Sequence, residues 1–289
     1  MKFLCDKIGL SKEACDYIYS IYNGIAKNKF LMREISEAKF AFLTNGYNSD
    51  YKEHLETISE NTGIHLYSVH LVFILLCAKN AKQLYDKNGI PEEVFLETMS
   101  DIAFKVTECK KMYGIYGIST FTWYPGLMAL KVFKLGRLEF EIKPCPLDGY
   151  KDYVKKNEIL YSCHIPSAGP LTYESVIDSL KRAYTFFGIK DNLVVYCRSW
   201  LLYPDHYNVF PEGSNLRMFY DLFDIVGKDE DEENSNLWRI FYKEASTSVD
   251  ELPGDTTLQR NFKKYLRDGN NIGVGTGILV FDGERIINK

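Results

Sequence analysis

Apolar residues recur at intervals of three and four as far as Leu135 and then begin to alternate at Arg137, and this change of period divides the chain. Ser11 with Glu13 opens a helix whose Ala14, Ile18, Ile21 and Tyr22 share one face. A second run, about 29–43, stops at Asn45 and Gly46, and a third, about 50–60, stops at Asn61–Gly63. Residues 65–85 are apolar on more than one face, which predicts the buried central helix of this portion. Pro91 at a first helical position, with Glu92 and Glu93 near the positive end of the dipole, opens a helix expected to reach about Met112. A short helix carrying Trp123 is predicted over 122–135, closed by Gly136.

From Arg137 to Lys143 the alternation is strict, with Leu138, Phe140 and Ile142 on one face and Glu139 and Glu141 on the other. Strands are predicted at about 137–143, 159–165, 192–200, 216–226, 237–244 and 272–281, and helices at about 172–187, 204–210 and 255–267. At 289 residues the chain exceeds the size at which one hydrophobic core stops growing. Two domains are therefore expected: an all-helical one over 1–134 and a mixed one over 135–289, an α+β arrangement.

Composition narrows the function classes. A net charge of −4 with no basic stripe argues against nucleic-acid binding, which needs a cationic surface to displace counterions. The 21 Tyr and 18 Phe read first as core packing. The seven cysteines include no CxxC pair and no zinc spacing, which predicts reduced thiols in a cytoplasmic protein and no metal site. Asp6 and Lys7 interrupt any signal-peptide core, and the longest apolar stretch, Leu71–Ala78, is too short to span a bilayer, so no membrane association is expected. His65 and His70 would lie about 140° apart around a helix and do not pair as metal ligands. The acidic run 228–234 lacks the glycine and terminal glutamate of an EF-hand loop, and reads as a solvated tip joining two strands.

Two loops enter helices in a manner suited to a phosphate-bearing cofactor. His164–Thr172 leaves a strand, contains Gly169 and ends on Thr172 as N-cap; Glu251–Phe262 carries Gly254, Asp255, Thr256 and Thr257, with Arg260 one turn in. Either helix start presents N–H groups and a positive dipole end to an anion.

The strings FKLGRLEFE, HIPSAGPLTYES, CRSWLLYP and LPGDTTLQRNFKKYLRDG, followed by GVGTGILVF, resemble in that order the C-terminal domain of a bacterial acyltransferase family of GNAT type, the N-acetyltransferase fold. The preceding helices look like that family's helical N-terminal domain. The resemblance implies a GNAT-like, mixed and mostly antiparallel sheet with flanking helices, opened to admit acetyl-CoA or another acyl-CoA. It also implies transfer of the acyl group to a small-molecule or peptide amine. The Arg/Gln-x-x-Gly-x-Gly/Ala loop that holds the CoA pyrophosphate in typical GNAT domains is missing at both junctions. Matching element order puts the expected strand 237–244 in the fourth position. That choice makes the helix from Thr256 the CoA helix, with Gly254, Asp255, Thr256, Thr257 and Arg260 as cofactor-binding residues.

Such a reaction needs a base for the ammonium, an oxyanion stabiliser and an acid for the leaving thiolate. Glu141 and His164 are the candidate bases, and Ser199 and Tyr203 the candidate acids. Cys197 lies in an apolar strand pattern where a thiol is normally inert, and no G-x-S-x-G elbow supports a hydrolase. Three functions fit: an acyl-CoA-dependent N-acyltransferase, a non-catalytic ligand-binding or regulatory protein on a degenerate GNAT scaffold, and an association module.

Overall fold

The computed structural model describes residues 2–44 and 51–288; Asn45, Gly46 and Asp50, on which two expected helix boundaries fall, lie outside the described residues. The chain divides into two compact units, Met1–Phe133 and Lys134–Lys289.

The first unit is built from helices α1 (Lys2–Lys7), α2 (Lys12–Ala26), α3 (Lys29–Thr44), α4 (Tyr51–Thr62), α5 (Leu66–Lys87), α6 (Glu92–Met99), α7 (Asp101–Tyr113) and α8 (Tyr124–Met128). Ser11 caps α2 as expected, its hydroxyl accepting the Ala14 amide at 3.2 Å. The central helix α5 buries Val69, Leu71, Val72, Phe73, Ile74 and Leu75 in succession, so it is surrounded by its neighbours rather than laid across them. His65 caps that helix, accepting the Tyr67 amide through Nδ1 at 3.2 Å. His70 stacks on Phe121 with ring centroids 4.2 Å apart, and burial lowers its pKa to about 4.

Two helical expectations here are corrected. The helix expected to run from Pro91 to about Met112 breaks at Ser100 into α6 and α7. The expected helix 122–135 ends at Met128, after which Leu130 takes a left-handed conformation and the chain enters strand β1, Val132–Leu135. Beta-branched and aromatic residues at 132 and 133 suit the pleated surface better than a continued helix.

The second unit continues with β2 (Leu138–Pro144), β3 (Gly149–Tyr150), β4 (Val154–Lys155), β5 (Ile159–His164), α9 (Tyr173–Phe186), β6 (Leu193–Ser199), α10 (Asn215–Asp221), β7 (Asp224–Asp229), α11 (Trp238–Phe241), α12 (Thr257–Arg267) and β8 (Val274–Phe281). The main sheet has the order β1-β2-β5-β6-β8-β7, while β3 and β4 form a small hairpin. Strands β2 and β5, β6 and β8, and β7 and β8 pair antiparallel; β5 and β6 pair parallel. A parallel neighbour requires a crossover, and α9 provides it. Val176, Leu180 and Ala183 on α9 recur at helical spacing and are buried, each large one contributing on the order of 2 kcal/mol.

On the opposite sheet face, the β3–β4 hairpin closes a core in which Tyr150 and Val154 pack with Leu160, Val194, Tyr196, Ile278 and Val280. Strand β8 is buried along its whole length. Its Gly275 is obligatory: a Cβ there would stand 1.8 Å from the Leu202 carbonyl oxygen, so the backbone after β6 lies directly on the strand.

Four expectations fail in this unit. Residues 216–226 are not one strand: Ser214 accepts the Arg217 amide, capping α10, and β7 starts only at Asp224. Residues 237–244 are not a strand at all, since Leu237, the N-cap of α11, and Ile240 and Phe241 within it are buried at helical spacing, and Tyr242 ends the helix at φ +52°. The acidic run therefore leads from β7 into a helical turn instead of closing a hairpin between strands. The expected helix 204–210 shrinks to a 3-10 turn over Pro204–His206.

Candidate active site

The parallel strands β5 and β6 hold register at Tyr161↔Val195 and Ser162↔Tyr196 and at no later position, although β5 runs on to His164 and β6 to Ser199. Their carboxyl ends therefore part, leaving a fork in the middle of the sheet. The chain leaves β5 at this fork through Ile165–Leu171 and enters α9 at the N-cap Thr172, whose hydroxyl accepts the Ser175 amide at 3.2 Å. The fork thus faces a loop and a helix start, the crevice beyond the carboxyl ends of parallel strands where ligands of open sheets bind.

Side-chain alternation sorts the candidate residues by face. Glu139 is opposite His164 and Glu141 opposite Ser162 across β2 and β5, so these four point to the same side. The His164 Nε2 lies 3.1 Å from Glu141 Oε2, and both side chains are about one-third exposed, at 33% and 32%. With an N–H on Nε2 donated to the carboxylate, the lone pair of the imidazole resides on Nδ1. A carboxylate that fixes the tautomer of a partly exposed histidine makes a competent proton acceptor.

The other two predicted residues are elsewhere. Ser199 has the parity of Val195 and Cys197 and so turns to the α9 side of the sheet; its hydroxyl accepts the Leu201 amide at 3.2 Å, capping a 3-10 turn. Tyr203 is 4% exposed and packs over Gly273, where a Cβ would come within 2.4 Å of its ring. Burial and the neighbouring Asp205 raise its pKa, which disfavours the phenolate. The structure thus brings Glu141 and His164 together and separates both from Ser199 and Tyr203.

The five residues expected to bind a cofactor do cluster, at the start of α12, but on one another. The Gln259 side chain accepts the amides of Asp255 and Thr256 at 3.0 and 3.2 Å, while Thr256 accepts the Gln259 amide at 3.1 Å. This reciprocal box occupies donors that an anion would need. Arg260 folds back onto the carbonyls of Gly254 and Asp255, at 2.9 and 3.0 Å, and onto the Thr257 hydroxyl. The elements before this helix are α11 and a 3-10 turn over Val249–Glu251, not the strand that the placement assumed.

Sequence reasoning passed over one residue. Arg137, in the β1–β2 turn, donates from Nη1 to the Pro166 carbonyl at 2.8 Å and from Nε to the Pro170 carbonyl at 3.3 Å. The signal was present in the strand, helix, strand succession of residues 159–199, which marks β5 and β6 as a parallel pair with the ligand crevice at the first loop.

Comparison with known proteins agrees with this architecture. Residues 1–129 match the N-acyltransferase N-terminal domain and residues 132–279 the GNAT-like C-terminal domain. The chain belongs to the acyltransferase family that joins these two domains, as the resemblance implied. No curated protein matches the sequence significantly. Among solved structures, it is similar to a mutant acyltransferase in complex with octanoyl-CoA, at 20% identity over 95% of this chain and 85% of the other, with a TM-score of 0.76. It is also similar to an acyltransferase in complex with decanoyl-CoA, at 18% identity over 95% and 85% of the two chains with a TM-score of 0.70. A third, an acyltransferase in complex with decanoyl-CoA and teicoplanin, shares 19% identity over 96% and 98% of the chains, with a TM-score of 0.64. The helical region followed by a mixed, mostly antiparallel GNAT-like sheet is the fold these proteins have in common with it.

Proposed function

We propose that this protein is an acyl-CoA-dependent N-acyltransferase whose donor enters the fork between β5 and β6. The observation that carries this reading is the parallel pair that separates after Ser162 and Tyr196, with a helix start immediately beyond it. A slot between strands exposes backbone polar groups that a pantetheine arm can pair with, and the start of α9 offers N–H groups and a positive dipole end to a diphosphate. The family membership and the acyl-CoA found in similar acyltransferases support the same reading.

In this site Glu141 holds the His164 tautomer and Nδ1 takes a proton from the acceptor ammonium. The neutral amine nitrogen then attacks the thioester carbonyl, a C–N bond forms, and the C–S bond breaks with the electron pair leaving on sulfur. The proton returns to the CoA thiolate, so the products are an amide and free CoA. Glu141, about one-third exposed on this face, suits a cationic acceptor, a small molecule or a peptide amine. A medium-chain donor is favoured over acetyl-CoA by the octanoyl and decanoyl groups carried by the similar enzymes.

The test is a thermal-shift and free-thiol assay with acetyl-, octanoyl- and decanoyl-CoA against a panel of primary amines. Stabilisation by at least one donor, with amine-dependent thiol release, is expected; no stabilisation by any of them removes the proposal. The glycine-poor first loop favours one second reading, a ligand-binding or regulatory protein on the same scaffold. It requires stabilisation by acyl-CoA with no thiol release for any amine.

A further inference from the structure

Typical loops that seat a diphosphate are rich in glycine and therefore in unencumbered amides, but here the segment between β5 and α9 contains Pro166 and Pro170, two residues with no N–H to give. Its single glycine, Gly169, stands at φ +42°. A loop with so few donors depends on holding the remaining ones in fixed directions. Arg137 supplies a means. Its guanidinium fork spans the loop, taking the Pro166 carbonyl on one nitrogen and the Pro170 carbonyl on another. In a planar trans peptide the N–H points opposite to the C=O, so each peptide unit whose carbonyl faces Arg137 presents its N–H on the far side.

The arginine is itself anchored. Its backbone amide and that of Leu138 donate to Ser179 Oγ, at 2.8 and 3.2 Å, and Ser179 is fully buried on α9. Gly136, at φ +75°, lets the turn approach so closely that a Cβ would meet Ser179 Oγ at 2.9 Å. The β1–β2 turn, the loop and the helix behind it are thereby tied into one body, with a cation on the loop's inner side. Hydrogen bonds from a charged donor are stronger than neutral ones and polarise the peptide groups they engage.

Resting on the acyl-CoA reading above, we propose that Arg137 is a positioning residue for the nucleotide half of the donor: it fixes the Pro166–Pro170 loop from behind, so that the loop's N–H groups meet the diphosphate in fixed directions. The arginine reaches the ligand through the loop and not directly. Its effect therefore belongs to the diphosphate and not to the pantetheine arm in the strand fork.

Calorimetric titration of the full chain with CoA and with pantetheine, which lacks the nucleotide diphosphate, separates the two. Arg137→Gln is expected to weaken CoA binding by about tenfold or more, the worth of one or two charged hydrogen bonds, while pantetheine binding changes by less than about twofold. Arg137→Lys keeps the charge but loses the fork and should fall between, and it carries the same comparison if the glutamine variant does not fold. An unchanged ratio of CoA to pantetheine affinity, whether both fall or neither does, overturns the role of Arg137. A wild-type protein that binds neither ligand removes the acyl-CoA reading itself and this inference with it.

Discussion

Two helix starts in the second unit carry similar sequences and opposite fates. Before α9 stands Pro-Ser-Ala-Gly-Pro-Leu-Thr, and before α12 stands Pro-Gly-Asp-Thr. Each has a proline, a glycine and a threonine cap. At α12 a glutamine on the third helical residue closes a capping box and an arginine binds the loop carbonyls from the helix side, so the end is closed by its own side chains. At α9 the third helical position is Ser175, whose hydroxyl donates to the Thr172 carbonyl, and the arginine comes from another strand turn altogether. The lesson is that the cap signature locates a helix start, while the partners of its amides decide whether it is available to a ligand.

The largest effect that would sharpen this contrast is catalytic. His164→Ala, beside the first junction, should lower the transfer rate by about 10² to 10⁴, with Kd for acyl-CoA little changed in calorimetry. No loss of rate would show that the Glu141 and His164 pair is structural. Next, Gly275→Ala drives a Cβ into the Leu202 carbonyl and should cost about 3 kcal/mol in chemical denaturation, because neither backbone can move without opening the sheet.

A similar magnitude appears in acid. His206 is fully buried, and burial lowers its pKa to about 4, from an unfolded value near 6.5. A depressed folded pKa favours protonation of the unfolded chain, so this stability is present above pH 6.5 and is lost as pH falls toward 4, up to roughly 3 kcal/mol. Unfolding midpoints measured between pH 7 and 4 should decline, and His206→Phe should decline less over that window.

Smaller still is the pair that tests the two helix starts directly. Thr172→Glu places a carboxylate at the α9 start and should weaken CoA binding by about tenfold through repulsion of the diphosphate. Thr256→Ala at α12 should cost only about 1 kcal/mol of stability and leave CoA affinity unchanged. Reversed outcomes in calorimetry would return the cofactor to the second loop.

Much of this was legible in the chain. The capped helix α2, the all-round apolar α5, the alternating β2 and the amphipathic α9 each follow from local periodicity, which is a property of neighbours in sequence. Residues 237–244 were not legible, because a short apolar run satisfies a strand and a helical turn equally, and only the buried positions of Leu237, Ile240 and Phe241 decide. That misassigned strand underlies the expectation of a cofactor helix at α12, whereas the reading proposed above puts it at α9.

The sequence alone determined where helices α2, α3, α5, α9 and α12 and strands β2, β5, β6 and β8 start, the change of architecture near residue 136, and the family to which the chain belongs, since these depend on spacing and on motifs carried in order. Tertiary structure decided which strands are parallel neighbours, where they part, and that Glu141 and His164 share a face while Ser199 and Tyr203 do not. It also decided that an arginine near the start of the sheet would grip a loop 29 residues further on. Those are relations between distant segments, fixed by sheet register and packing, and no local pattern of residues encodes them.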